Sequence, residues 1–150
     1  MHLTLAFLGE MRDHDIDRVT EIMEETSRKY ESFELVFTKP GIFRDINQPR
    51  VLWMGLEAPE ILFKMREELC SRLRNEGLYS DEKRFSPHIT LGRMKFINDR
   101  ENLHKVINSN TTHYIPVEKV NEIILYQSIL KPDGPQYISV CKAFLKSPGP

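Results

Sequence analysis

Cysteine is scarce in this 150-residue chain, which contains only Cys70 and Cys141. Two cysteines without paired spacing exclude a dense disulfide framework and a cysteine-based zinc site, and they fit a reducing cytosol. An excess of charge of either sign is also absent, since the formal net charge is -1. The chain therefore lacks the basic surface with which proteins coat long stretches of nucleic acid, and any nucleic acid should be bound locally.

Long hydrophobic runs are missing as well. The apolar stretch in MHLTLAFLGEM at residues 1–11 is too short to span a bilayer and has no basic leader, so we expect a cytoplasmic protein that does not contact a membrane. Apolar residues make up 40% of the chain, which is enough to build a core. Length and composition together predict a single domain over residues 1–150.

Hydrophobic periodicity predicts an α+β domain. Helices are expected from the N-cap Asp13 to Tyr30, from Pro59 to Gly77, and after a capping box of Asn98 and Glu101. Strands are expected at residues 2–8, 33–37 ending at Pro40, 51–56, 88–94, 114–120, 123–128 and 136–145. Because the order of elements repeats, we expect two related halves, about residues 1–77 and 78–150.

The clearest repeat is a short motif that occurs once in each half. His2-Leu3-Thr4-Leu5 and His88-Ile89-Thr90-Leu91 both alternate a polar residue with an apolar one, and both lie in predicted strands. Since strand side chains alternate between faces, each motif presents an imidazole and a hydroxyl side by side. A single copy would be weak evidence, because a lone strand histidine is usually structural, but two matching copies favour a functional site.

Two imidazoles suit phosphoryl chemistry near neutral pH, because one accepts a proton while the other donates one. The threonine hydroxyls of the motifs, from Thr4 and Thr90, are expected to donate hydrogen bonds to phosphate oxygens. Arg93 has the wrong strand parity to share the face of His88, but it would add a positive charge if the strand twists or ends at Gly92. The sequence therefore predicts His2 and His88 as catalytic residues that act without a metal or a cofactor.

The stretches HLTLAFLGE and FSPHITLGR, with their paired motifs, resemble the two-histidine phosphoesterase superfamily. Further stretches, PRVLWMGL at residues 49–56, LYQSIL and GPQYISV, resemble the bacterial and archaeal RNA 2',3'-cyclic phosphodiesterases, also called 2'-5' RNA ligases. The resemblance implies a bilobed, duplicated α+β fold, with antiparallel sheets around a central cleft that holds both histidines and with helices packed outside.

The resemblance also implies an activity: ATP-independent opening of 2',3'-cyclic phosphate RNA ends to a 2'-phosphate, with reversible 2'-5' ligation as an associated reaction. The residues alone do not decide which histidine is the acid; the resemblance assigns His88 as base and His2 as acid. Family members usually carry a strand and a helix ahead of the first motif. Here His2 directly follows the initial Met, so that segment is expected to be absent.

Three aromatic residues are candidates for stacking a nucleobase beside the phosphate, namely Phe43, Phe85 and Tyr126. Core packing is the alternative for each, and it is favoured for Phe85 and Tyr126. The expected partners are RNA ends or small nucleotides with a cyclic phosphate, bound by a monomer. Two rivals remain: another two-histidine phosphodiesterase, acting on 2'-5' oligoadenylate, ADP-ribose cyclic phosphate or a 3' RNA tail, and a nucleotide-binding module without turnover.

Overall fold

The computed structural model describes residues 2–43, 51–80, 84–93, 99–108, 117–132 and 134–148. Its helices are α1 (Asp13–Ser27), α2 (Glu60–Asn75) and α3 (Arg100–Asn108). Its strands are β1 (Phe33–Phe43), β2 (Val51–Glu57), β3 (His88–Arg93), β4 (Val117–Val120), β5 (Glu122–Lys131) and β6 (Gly134–Phe144). The strands form a four-stranded sheet in the order β3-β2-β1-β4 and a two-stranded sheet of β5 and β6. The β1–β2, β2–β3 and β5–β6 pairs are antiparallel, which confirms the predicted α+β class.

The chain divides into two compact units, each built from three separate segments. The first, which we call the motif unit because it holds both histidine motifs, comprises Met1–Leu5, Glu34–Ala58 and Lys83–Glu118. The second, which we call the helical unit, comprises Ala6–Phe33, Pro59–Glu82 and Lys119–Pro150. Each unit combines segments from before and after residue 77. The predicted division into two related halves, about residues 1–77 and 78–150, concerns the repeat in the sequence and stays a prediction.

The helical unit contains most of the buried apolar side chains. Helix α1 packs against α2 and against β5 and β6. Helix α2 buries an apolar stripe, as Leu62, Met65, Leu69 and Leu73 are each no more than 4% exposed. Burial of each such side chain contributes about 1.5–3 kcal/mol, so this stripe stabilises the packing of α2 in the helical unit.

The N-terminal strand predicted over residues 2–8 is wrong in extent. Only Leu3 pairs, through an isolated antiparallel bridge to Ile89. The cause is that the chain leaves the motif unit after Leu5, so residues 6–8 join the helical unit and Phe7 is 73% exposed.

The end of β1 and the cap of α3 also differ from the prediction. Strand β1 does not end at Pro40 but continues to Phe43, because the register shifts between Phe37 and Pro40. A bulge is a position where the missing N–H of proline is tolerated within a strand. At the start of α3, the Asp99 carboxylate accepts a hydrogen bond from the Asn102 backbone N–H at 2.8 Å. Asp99 therefore performs the capping role predicted for Asn98, which lies outside the described residues.

Candidate active site

The register of the two motifs follows from the bridge between Leu3 and Ile89. In an antiparallel pair, the residues before and after a paired position are also opposite each other, so His2 lies opposite Thr90 and Thr4 lies opposite His88. Opposite residues point to the same face of the sheet, which is the face away from Leu3 and the buried Ile89. The structure therefore brings the four motif residues together, with the two histidines as diagonal neighbours.

Diagonal neighbours on adjacent antiparallel strands lie about 7–8 Å apart between Cα atoms, within reach of long or aromatic side chains. Two imidazoles in this relation can contact opposite sides of one small group. Each histidine also has a threonine opposite it and a second threonine two residues along its own strand. This arrangement offers two proton-transfer groups and two hydroxyl donors to a single phosphate.

Strand β2 lies on the other side of β3 and adds Trp53 to the same face. Trp53 pairs with Thr90, and Gly55 pairs with His88. On β1, Gly41 is opposite Trp53 and Phe43 is two residues further along. The site face of the motif unit therefore carries two aromatic rings and two glycines beside His88.

Arg93 reaches the site face because β3 contains a bulge. Trp53 pairs with Thr90, but the next residue of β2, Leu52, pairs with Gly92, so Leu91 is an extra residue in β3. Beyond this bulge Arg93 pairs with Val51, which shares the parity of Trp53. Strict alternation along β3 would turn Arg93 away from His88, but the extra residue reverses this direction. The exposed Arg93 side chain therefore lies on the same face as the imidazoles.

The imidazole of His88 is held from several directions. Its Nδ1 lies 2.7 Å from the backbone carbonyl oxygen of Ser86. Since a carbonyl oxygen only accepts, Nδ1 is the donor, and in the neutral ring Nε2 carries the lone pair. The ring also meets Phe43 edge to face, with 4.8 Å between centroids, and Trp53 at 6.3 Å.

The environment of His2 changes its acidity. Partial burial, which disfavours a charged imidazole, lowers the pKa of His2 below the usual 6.5. A protonated His2 is therefore a stronger acid than an ordinary histidinium.

The three candidate stacking residues have different surroundings. Phe43 is 39% exposed and contacts His88. Phe85 is half-buried in the segment that precedes β3. Tyr126 belongs to the helical unit, is 38% exposed and contacts Tyr137 with 6.0 Å between ring centroids, so the core interpretation favoured for it is wrong.

The sequence did not indicate a role for Trp53, for Gly41 opposite it, or for Gly55 opposite His88. The available signal was Gly55 inside the strand predicted at residues 51–56, since glycine in a strand often marks a close approach of another group, whereas Gly41 lies beyond the predicted end of its strand at Pro40. Within the described ranges, no group of three or more His, Cys, Asp or Glu side chains is arranged to hold a metal ion. Among the helices that the structure describes, none is long and apolar enough to cross a membrane.

Comparison with known proteins identifies the family. The model of the 2'-5' RNA ligase superfamily matches residues 1–127. The RNA 2',3'-cyclic phosphodiesterase of Thermotoga maritima is 38% identical over 139 residues, which are 91% of this chain and 71% of that protein. The protein of the same name from Aquifex aeolicus is 31% identical over 147 residues, covering 97% of this chain and 78% of that protein.

Solved structures agree with this result. The crystal structure of TT0787 from Thermus thermophilus has a TM-score of 0.78 and 25% identity, and the match covers 97% of this chain and 78% of that one. Escherichia coli LigT complexed with 3'-AMP has a TM-score of 0.70 and 26% identity, with 96% and 76% covered. The chain therefore belongs to the 2'-5' RNA ligase superfamily of two-histidine phosphoesterases.

Proposed function

We propose that this protein is a hydrolase that opens 2',3'-cyclic phosphates at RNA ends to 2'-phosphates. The observation that carries the proposal is the antiparallel register of the two motifs, which makes His2 and His88 diagonal neighbours with a threonine opposite each. The relatives from Thermotoga maritima and Aquifex aeolicus, which bear the name RNA 2',3'-cyclic phosphodiesterase, support the same substrate class. We further propose a cytoplasmic monomer that also catalyses reversible 2'-5' ligation, in which a 5'-hydroxyl takes the place of water, a bond forms between its oxygen and phosphorus, and O3' again leaves as a hydroxyl.

The reaction begins when the neutral imidazole of the base removes a proton from water. The water oxygen forms a bond to phosphorus, and the bond between phosphorus and the ribose O3' breaks in line with it. The protonated imidazole of the acid delivers its proton to O3', which leaves as a hydroxyl. The hydroxyls of Thr4 and Thr90 donate to the non-bridging oxygens, where negative charge is concentrated in the transition state.

The surroundings of the two rings support His88 as the base and His2 as the acid. The Ser86 carbonyl selects the neutral tautomer of His88 in which Nε2 has a lone pair available for the proton of water. The lowered pKa of His2 makes its protonated form a stronger donor toward the departing ribose oxygen. Two imidazoles thus supply both proton transfers, so the mechanism requires no metal.

Phe43 is the residue that we propose stacks on the terminal base, because it is partly exposed and contacts His88 directly. Phe85 and Tyr126 stay predictions from the sequence for this role. The rival activity, nucleotide binding without turnover, differs from hydrolysis in a measurable way, since it predicts saturable binding and unchanged substrate. The other two-histidine phosphodiesterases differ in the substrate that they convert.

Arg93 is proposed to attract the phosphate by charge. Replacing Arg93 with alanine should raise the KM for a cyclic-phosphate oligonucleotide by about tenfold and change kcat little, because one phosphate contact is lost while the imidazoles remain. Arg93→Lys keeps the charge, so its KM should lie between that of the parent protein and that of Arg93→Ala. An unchanged KM for Arg93→Ala at low salt would remove Arg93 from the site.

The proposed function is tested by incubating the protein with an oligonucleotide that ends in a 2',3'-cyclic phosphate, in the presence of EDTA. We expect full conversion to the 2'-phosphomonoester at the same rate with and without the chelator, because neither proton transfer uses a metal. Chromatography against synthetic 2'- and 3'-phosphate standards identifies the product. Intact substrate despite saturable binding, or turnover that EDTA abolishes and a divalent ion restores, would contradict the proposal.

A further inference from the structure

Trp53 is the only tryptophan of the chain, and it lies on β2, directly beside the strand β3 that carries His88. The indole Nε1 is buried and has no hydrogen-bond partner among the described residues. Within the part of the chain that the structure describes, packing and not a hydrogen bond therefore orients the ring. Its packing partners are on the site face, because Trp53 pairs with Thr90 on one side and with Gly41 on the other.

Gly41 allows the indole to lie against the backbone of β1. A Cβ atom added at this glycine would overlap three ring atoms of Trp53, namely Cζ2, Cη2 and Cε2. Strand glycines mark positions of this kind, where another group approaches the backbone closely. The indole thus occupies the space that any other residue at position 41 would fill.

The rings of Trp53 and Phe43 both contact the imidazole of His88. The centroids of the two aromatic rings are 5.5 Å apart, and each ring meets the imidazole at a steep angle, 83° for Phe43 and 65° for Trp53. Directly opposite His88 on β2 is Gly55, so β2 places no side chain there to limit the imidazole. Packing against the two rings, together with the Ser86 carbonyl, restricts the rotation of the His88 side chain.

We propose that Trp53, seated on Gly41, is a positioning residue that holds the His88 imidazole in the orientation needed for proton transfer from water. The inference rests on the proposed function, since it gives His88 the role of base. Concerted proton transfer is sensitive to displacement of the base by a fraction of an ångström, so loss of this support should reduce the rate of the chemical step and leave substrate binding nearly unchanged.

The experiment compares four variants by steady-state kinetics on a cyclic-phosphate oligonucleotide. Trp53→Ala should lower kcat by about tenfold with KM within about twofold, and Gly41→Ala should act in the same direction because its Cβ displaces the indole. Trp53→Phe keeps an aromatic ring and should restore most of the rate. Gly92→Ala is the matched control, since no atom of the described residues lies within 4 Å of the Cβ it would add.

The second readout requires no substrate and separates this inference from the proposed function. The imidazole ¹⁵N resonances of His88, identified by their loss in His88→Ala, should show the Nδ1-protonated tautomer in the parent protein and a mixture of tautomers in Trp53→Ala and Gly41→Ala. Unchanged His88 resonances and unchanged kcat in both folded variants would overturn the positioning role, even if His88→Ala is inactive. An active His88→Ala protein would instead overturn the proposed function.

Discussion

Replacing His2 or His88 with alanine is expected to lower the turnover of a 2',3'-cyclic phosphate RNA end by roughly 10²-fold or more, the usual contribution of a general acid or base. Each variant removes one of the two proton transfers, and the diagonal arrangement leaves no other imidazole on the site face among the described residues to replace it. The double variant should be little worse than either single one, because the two groups act in one concerted step.

His104→Ala is the control for these variants, since His104 is an exposed residue of α3 in the same motif unit. It should hydrolyse the substrate at the parent rate. Circular dichroism checks that each variant is folded, which we expect because neither His2 nor His88 belongs to the buried core. Parent-level turnover by folded His2→Ala or His88→Ala protein would show that the paired-histidine mechanism is wrong.

Removing the hydroxyl of Thr90 or Thr4 is the change with the next largest expected effect. Loss of one hydrogen-bond donor to the developing phosphate charge should lower kcat by about 10- to 10²-fold, a modest effect for such donors because both threonines are exposed. Thr→Val is the sharpest substitution, since it keeps the β-branched shape that suits a strand and removes only the hydroxyl.

Thr→Ser is the matched control for both positions, because it keeps the donor and removes a methyl group. The serine variants should retain most of the parent kcat, and the difference between valine and serine measures the hydroxyl alone. Equal rates for valine and serine at both positions would mean that the hydroxyls do not hold the phosphate.

Local sequence patterns predict much of the fold and of the candidate site. The alternation of His, apolar residue and Thr places each imidazole beside a hydroxyl in any extended chain, and the periodicity of α2 predicts its buried stripe. The pairing of the motifs, by contrast, depends on Leu3 meeting Ile89, a contact between residues 86 positions apart that no local propensity encodes.

The bulge at Leu91 shows why the sequence alone left the direction of Arg93 open. Strict alternation along β3 turns Arg93 away from His88, and only the pairing with β2 reveals the extra residue that restores its direction. The role of Trp53 was hidden for a related reason. Its importance lies in the glycine opposite it and in the imidazole on the next strand, and both relations are set by cross-strand register.

The most direct test of the central claim is the pH dependence of kcat/KM for the parent protein and the two histidine variants. The parent should give a bell-shaped profile, because only enzyme with one neutral and one protonated imidazole is competent. The rising limb of such a profile breaks at the lower of the two pKa values, and because burial lowers the pKa of His2, this limb should lie below pH 6.5.

The two histidine variants separate the pH dependence of the base from that of the acid. His2→Ala retains only the base, so its residual activity should rise with pH and should not fall again at higher pH. His88→Ala retains only the acid, so its residual activity should fall as pH rises through the pKa of His2, which lies below the usual 6.5. A parent profile that is flat from about pH 5 to 9, or a bell that persists in both variants, would contradict catalysis by the His2 and His88 pair.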